Sequence, residues 1–133
     1  MPRVDFEYQT QSPPIPDELK TLFKQTSWAN ERELVSIANM LAHCDLFVTV
    51  RLDGKLIGFG RAISDYAYRA LLDDIIVDEA HRKQGIGKEI VQKLLEMTNE
   101  VEQVFLKCRE AVGPFYEALG FTPSNGLTMV YTK

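Results

Sequence analysis

Residues 71–95 read LLDDIIVDEAHRKQGIGKEIVQKLL. Leu71-Leu72 and Ile75-Ile76-Val77 form a nearly continuous apolar run, as expected of a strand covered on both faces. Asp73-Asp74 interrupts it. A charged turn follows, carrying Arg82-Lys83-Gln84-Gly85-Ile86-Gly87, and a helix begins at once. In that helix Ile90, Val91, Leu94 and Leu95 make one stripe, with Lys88, Glu89, Gln92, Lys93 and Glu96 mostly opposite. Glu89 and Lys93 form a favourable i,i+4 pair. The first N–H groups of the helix have no internal partner and carry the positive end of its dipole. Glycine lets the backbone approach an anion closely, and Arg82, Lys83 and Lys88 add side-chain charge. The spacing predicts a cradle for a phosphorylated ligand, with a plain surface turn as the alternative.

Two nucleotide loops are excluded. A mononucleotide loop needs Gly-x-x-x-x-Gly-Lys-Ser/Thr, but Glu89 follows Lys88 and the first glycine is missing. A dinucleotide loop needs a third glycine where Ile90 stands.

The remaining chain sets the frame. Its 133 residues argue for one domain spanning 1–133. With 45% hydrophobic and 26% charged residues it has the balance of a globular protein, and its length can bury a core without disulfides or metal. A net charge of -4 argues against nucleic acid and anionic membrane surfaces as partners. Cys44 and Cys108 are far apart, which disfavours a metal site and a disulfide framework. No stretch has the pattern of a signal peptide or a membrane span, so the expected compartment is a reducing cytoplasm.

Val4, Phe6 and Tyr8 alternate with polar residues and predict a first strand. Pro16 or Asp17 starts a short helix through Phe23. Trp28 falls in a loop, either packing or walling a pocket. Asn30 and Glu33 suggest a capping box for a second helix with Leu34, Ile37, Ala38 and Leu41 on its apolar face. Strands follow at Leu46–Val50 and Leu56–Ile63, joined by an Asp53-Gly54 hairpin turn. Gly58 and Gly60 suggest a bulge or close backbone approach. The fourth strand runs from Tyr68 to Val77. After the central helix come a strand over Glu102–Cys108, a short helix starting at Pro114 and ending before Gly120, and a last strand over Leu127–Thr132. The fold class is α+β, an α/β mixed sheet with helices on both faces.

Arg82-x-x-Gly85-x-Gly87, following Ile75-Ile76-Val77-Asp78, resembles the acetyl-CoA signature of the GNAT superfamily of N-acetyltransferases. Phe115-Tyr116-Glu117-Ala118-Leu119-Gly120-Phe121 resembles that family's C-terminal Phe-Tyr-x-x-x-Gly-Phe segment. The order of elements fits the family over nearly the whole chain. The resemblance implies a mixed sheet of six to seven strands with about four helices, and acetyl-CoA as cosubstrate. It implies that Ile75, Ile76 and Val77 line the pantetheine arm. Residues Arg82, Lys83, Gln84, Gly85, Ile86, Gly87 and Lys88 would surround the pyrophosphate. Strands four and five would splay apart, Tyr116 would stand near the cofactor sulfur, and a homodimer is a reasonable expectation.

The implied reaction is attack of a neutral amine on the thioester carbonyl. A strand N–H near Ile76 or Val77 is the candidate oxyanion donor. Tyr116 is the candidate acid for the leaving thiolate, since a phenol at about 10 nearly matches a thiol; the alternative is that it packs. Relatives place an acidic base on the fourth strand at a position that aligns with Leu71. Asp73 points to the same face by strand alternation and is the candidate base, with Asp74 on the other face. Equally, the pair may mark a bulge or bind structural donors. Arg109 stands where many relatives have asparagine. His81 reads as a solvent-facing turn residue and His43 as a helix-end residue. The expected activity is N-acetylation of a small-molecule or exposed peptide amine. The alternatives are a non-catalytic acyl-CoA-binding or sensing module and an interaction subunit that binds no CoA.

Overall fold

The computed structural model describes residues 5–133. Strand β1 covers Glu7–Gln9, so Val4, expected in that strand, lies outside the described residues. Helices α1 (Pro16–Phe23) and α2 (Leu34–Ala42) follow, then strands β2 (Leu46–Leu52), β3 (Lys55–Ser64) and β4 (Arg69–Val77). A 3-10 turn over Glu79–His81 leads to α3 (Ile86–Met97). Strand β5 (Gln103–Phe105), a second 3-10 turn and α4 (Gly113–Glu117) complete the elements. The sheet has the order β1-β2-β3-β4-β5, antiparallel except for the parallel β4–β5 pair.

The sheet divides the core into two layers. On one face Leu19, Leu22 and Phe23 of α1 pack with Phe47, Phe59 and Ile76. On the other, Ile86, Ile90, Val91 and Leu94 of α3 pack with Val48, Val50, Ile57 and Leu72. Strands feeding both layers must be apolar on both sides, which explains their unbroken runs. Each α3 side chain buried this way contributes about 2 kcal/mol. Gly60 is where α3 crosses β3 most closely. A Cβ there would lie 2.5 Å from Ile90 Cγ2. Gly60→Ala is expected to cost about 2 kcal/mol of unfolding free energy, measured by urea denaturation, because a close-packed core resists one more methyl.

Several sequence expectations are corrected. Asn30 does not cap α2; Glu33 occupies that position in extended conformation with no side-chain cap. Arg32 is drawn away from a helical path, donating to Asp74 at 3.0 Å and lying 4.7 Å from the centre of the Phe23 ring. Of the expected α2 face, Ile37 is buried, whereas Leu34 and Ala38 are exposed. The strand expected over Glu102–Cys108 is three residues long. The strand expected over Leu127–Thr132 is absent, leaving Leu127 90% and Tyr131 86% exposed. The sheet of the described residues therefore has five strands rather than six or seven. The reason for the short β5 lies in β4, which bends away from it. The three-residue edge then offers a further strand little ladder to join.

Candidate active site

The bend is a bulge at Asp73–Asp74. Phe59 pairs with Ile76 and Arg61 with Asp73, so Asp74 and Ile75 together oppose Gly60. Asp74 takes φ 53°, a left-handed conformation that favours aspartate over bulkier residues. The extra residue cancels the strict alternation expected at this point. Both carboxylates consequently reach one guanidinium: Arg61 Nε donates to Asp74 Oδ2 at 2.6 Å and Arg61 Nη2 to Asp73 Oδ2 at 3.3 Å. Arg32 Nη1 donates to the same Asp74 oxygen. Asp74 is wholly buried at its side chain, and its Oδ1 has no hydrogen-bond partner. Its removal would leave two cations facing one another with less compensation. Asp74→Ala is expected to lose about 3 kcal/mol of stability in chemical denaturation, in the range typical of breaking a buried ion pair.

Asp73 is the more accessible carboxylate, 43% exposed at its side chain. Its Oδ1 accepts from the Asp74 N–H at 2.9 Å while Oδ2 faces Arg61. It is thus a carboxylate held in place at the bulge with its outer face open.

Beyond the bulge, β4 has no second ladder partner among the described residues. Its pairing with β5 ends at Leu71 opposite Phe105, whereas its pairing with β3 continues to Val77. An end to the β4–β5 ladder at this point is what the expected splay of strands four and five requires. A cavity of about 660 Å³ opens there, lined by Ile75, Ile76 and Val77, by Trp28 and its loop, and by Arg109, Val112 and Phe115. His81, Arg82, Lys83, Gly85, Ile86, Gly87 and Lys88 form its other end. Gln84 sits in the same turn, exposed. Gly85 caps α3 with φ 83°, where a side chain would be strained. The first backbone bond of α3 runs from Glu89 N–H to the Gly85 carbonyl at 3.1 Å. The preceding N–H groups therefore have no helical partner. Arg82 Nε donates to the Val77 carbonyl at 3.3 Å, fixing the turn against the strand end.

Trp28 both packs and walls the cavity. It meets Phe23 edge to face at 6.4 Å, and its other side is open. Tyr116 lies elsewhere than its neighbour Phe115. It lines a groove between β5 and α4 with Phe105, Leu106 and Cys108. Its ring meets Phe115 and Phe121 edge to face at 5.0 Å and 5.7 Å. Burial, with the Cys108 thiol nearby, pushes its phenol up to about 12. His43 ends α2 as expected, its Nδ1 2.9 Å from the Asn39 carbonyl. His81 does not face solvent as the sequence suggested; it is half-buried and its Nδ1 is enclosed. The signal that could have revealed this is Asp78, three residues earlier, on the same turn.

Residues 7–121 match the model of the Acetyltransferase (GNAT) family. The chain belongs to the GNAT family. A crystal structure from Deinococcus radiodurans R1, assigned as an acetyltransferase, superposes on this chain with a TM-score of 0.81 and 30% identity. The match covers 95% of this chain and 88% of that one. The GCN5-related N-acetyltransferase 3 of Arabidopsis thaliana, described as chloroplastic, is 35% identical over 85 residues, which is 61% of this chain and 36% of that protein. The chain thus spans about a third of the length of the first curated relatives it matches. An aminoglycoside N-acetyltransferase in complex with CoA shares the fold, with a TM-score of 0.80 at 14% identity over 100% of this chain and 99% of that one. No helix of the described residues is long and apolar enough to cross a membrane.

Proposed function

We propose that this GNAT domain transfers the acetyl group of acetyl-CoA to a primary amine of a small molecule or an exposed peptide amine. The observation that carries the reading is the side of β4 at Ile75–Val77 that has no ladder partner among the described residues and runs directly into the N–H cradle at Gly85–Gly87. An extended pantetheine arm can add to that strand side as a peptide would. The diphosphate then meets the helix N-terminus, with Arg82, Lys83 and Lys88 around it. The cavity residues fit acetyl-CoA: an apolar strand at one end and unpaired donors with cations at the other.

The bound cosubstrate supplies the activated thioester. The chain supplies the rest. A backbone N–H of the β4 segment near Ile76 or Val77 donates to the carbonyl oxygen as it becomes an oxyanion. Asp73 is the bulge carboxylate available to the acceptor. Its Arg61 contact keeps it in place, and its open face attracts the ammonium and receives its proton directly or through water. Tyr116, which lines the neighbouring groove between β5 and α4, would donate toward the departing sulfur if the acyl end of the cosubstrate reaches it. Asp73→Asn is expected to lower kcat/KM for the amine at least tenfold while leaving acetyl-CoA affinity within twofold.

The test is an amine panel assayed by release of free CoA thiol. Turnover with any primary amine supports the reading; thiol release with none, at millimolar acetyl-CoA, overturns it. One observation favours a second reading, an acyl-CoA-binding module without turnover: both Asp73 oxygens already have protein partners. That reading requires acetyl-CoA binding by calorimetry with no thiol release.

A further inference from the structure

This inference rests on the acetyl-transfer reading and concerns the sheet face that α1 covers only in part. The register sets Ile63 of β3 opposite Leu71 of β4, and Leu71 opposite Phe105 of β5. Directly paired residues share a face, so the three make one row across three strands. Their neighbours show which face it is. Ala62, Leu72 and Val104, each one position from a member of the row, pack on the α3 side. Alternation puts the row on the α1 side, whose core reaches Phe47, Phe59 and Ile76 and not the row. Ile63 is left 50% and Phe105 45% exposed, with Leu71 half-buried between them.

A sheet face open to water is ordinarily polar. Three apolar side chains in line depart from that pattern, and their rim is polar. On one side Arg61 pairs with Asp73 and donates to its Oδ2 at 3.3 Å. On the other Arg69 donates to Glu102 at 2.7 Å. Next to Leu46, which pairs with Ala62, Asp45 accepts from the Tyr66 hydroxyl at 3.0 Å. Each arginine here is already paired with a carboxylate and Asp45 adds another, so the rim favours a cation over an anion. An apolar patch inside a polar rim is the ordinary make-up of a ligand seat.

The order along β4 says which part of a ligand goes where. The row crosses it at Leu71, where the β4–β5 ladder ends. Asp73 follows on the same face two residues along, about 7 Å at the rise of a strand. Ile75, Ile76 and Val77 then line the cavity that fits the pantetheine arm. An amine held at Asp73 has the thioester on one side and the row on the other. The group it carries away from the thioester therefore lies over Ile63, Leu71 and Phe105. The row spans two strand spacings, about 10 Å, which suits one ring or branched alkyl group rather than a length of peptide.

We propose that Ile63, Leu71 and Phe105 select the acceptor, a small primary amine whose short alkyl linker carries an apolar group. The amine sits at Asp73 and the apolar group on the row. The transfer step itself is unchanged by this assignment.

The test compares isoamylamine with ethylamine, primary amines of nearly equal basicity that differ in the apolar group. kcat/KM is read by release of free CoA thiol. The wild type is expected to prefer isoamylamine about tenfold, the scale of covering a few methylenes in part. Leu71→Thr and Ile63→Thr place a hydroxyl in the row and keep a residue that suits a strand. Each is expected to lower the isoamylamine-to-ethylamine ratio about fivefold, with the acetyl-CoA Kd within twofold of wild type by calorimetry. Damage to the fold or to cosubstrate binding lowers both rates and leaves the ratio, so the ratio separates selection from a structural role. Ile63→Thr, at the more exposed position, carries the test if Leu71→Thr does not fold. A wild-type ratio below threefold overturns the proposal, as does a ratio in Ile63→Thr within twofold of the wild type's. Faster turnover of a peptide with an N-terminal leucine than of isoamylamine overturns the small-molecule assignment. Absence of turnover with every amine overturns the acetyltransferase reading and this assignment with it, whereas turnover without the preference overturns this assignment alone.

Discussion

Gly87→Glu is expected to abolish acetyl-CoA binding while leaving the fold intact. Gly87 lies in the first turn of α3, half-buried at the cavity floor. A Cβ there would stand 3.5 Å from Phe115 Cζ and 3.8 Å from Val77 Cγ2, ordinary contacts that cost little. The effect is therefore not steric at the first carbon, and Gly87→Ala is the control, expected to bind within tenfold of wild type. A glutamate extends further, between the strand end and the cradle, and places a negative charge where the diphosphate would lie. Two unit charges about 4 Å apart at an effective dielectric of about 20 repel by about 4 kcal/mol. That is roughly a thousandfold in Kd. The helix itself has no reason to unfold. Its buried stripe of Ile86, Ile90, Val91 and Leu94 is untouched, and an acid in the first turn favours the dipole. Calorimetry reads the affinity and circular dichroism the fold. Binding within tenfold of wild type would remove the cradle from the cosubstrate site.

How far the sequence reached follows from the kind of information each feature carries. The strand–turn–helix at 71–95 was legible because its signals are local: an apolar run, two glycines at a helix start and a 3.6-residue stripe. Asp73 keeps the register with Leu71, and a bulge was one of the readings left open, but the sequence could not choose it, and the placements of the two carboxylates at Arg61 were not legible. They depend on one residue in a left-handed conformation, which is stabilised by Arg61 from β3 and Arg32 from the α1–α2 connection. A period-two argument has no place for an extra residue, and the partners are 12 to 42 positions away. The same bulge explains why the strand expected over Glu102–Cys108 stops at Phe105: once β4 turns away, the parallel ladder has no partner. Leu127–Thr132 shows the complementary limit. Its alternation suits a strand, but strand formation needs an edge to pair with, which alternation does not record. His81 was misread for a further reason. Its exposure is set by Asp78 and by Gln25 from the turn after α1, and a turn rich in charge reads as solvent-facing whether or not one ring is folded back.

Tyr116→Phe is expected to reduce kcat about a hundredfold with acetyl-CoA affinity within twofold of wild type. The ring is locked by edge-to-face contacts with Phe115 and Phe121, and the Phe121 N–H donates to the Tyr116 carbonyl at 3.1 Å. Phenylalanine preserves all of these, so the variant removes a hydroxyl and nothing else. Balanced proton transfer from a phenol at about 10 was the expectation from reference values. A phenol pushed up to about 12 changes the argument. Such a phenol is a weaker acid than the thiol it would protonate, so complete transfer to the thiolate is uphill. The role left to Tyr116 is hydrogen-bond donation to the sulfur as charge builds on it, which requires the hydroxyl to stay protonated. Loss of one such donor typically costs a hundredfold or more. The groove that holds Tyr116 includes Phe105, which ends β5, and Leu106 after it. The raised phenol also fixes the pH dependence. A catalytic hydroxyl at its ordinary value would ionise near pH 10 and bring the rate down there. At about 12 it keeps its proton, so no fall in kcat attributable to Tyr116 is expected up to pH 10.5. Unchanged kcat in Tyr116→Phe would make the residue a packing element and shift support to the acyl-CoA-binding reading.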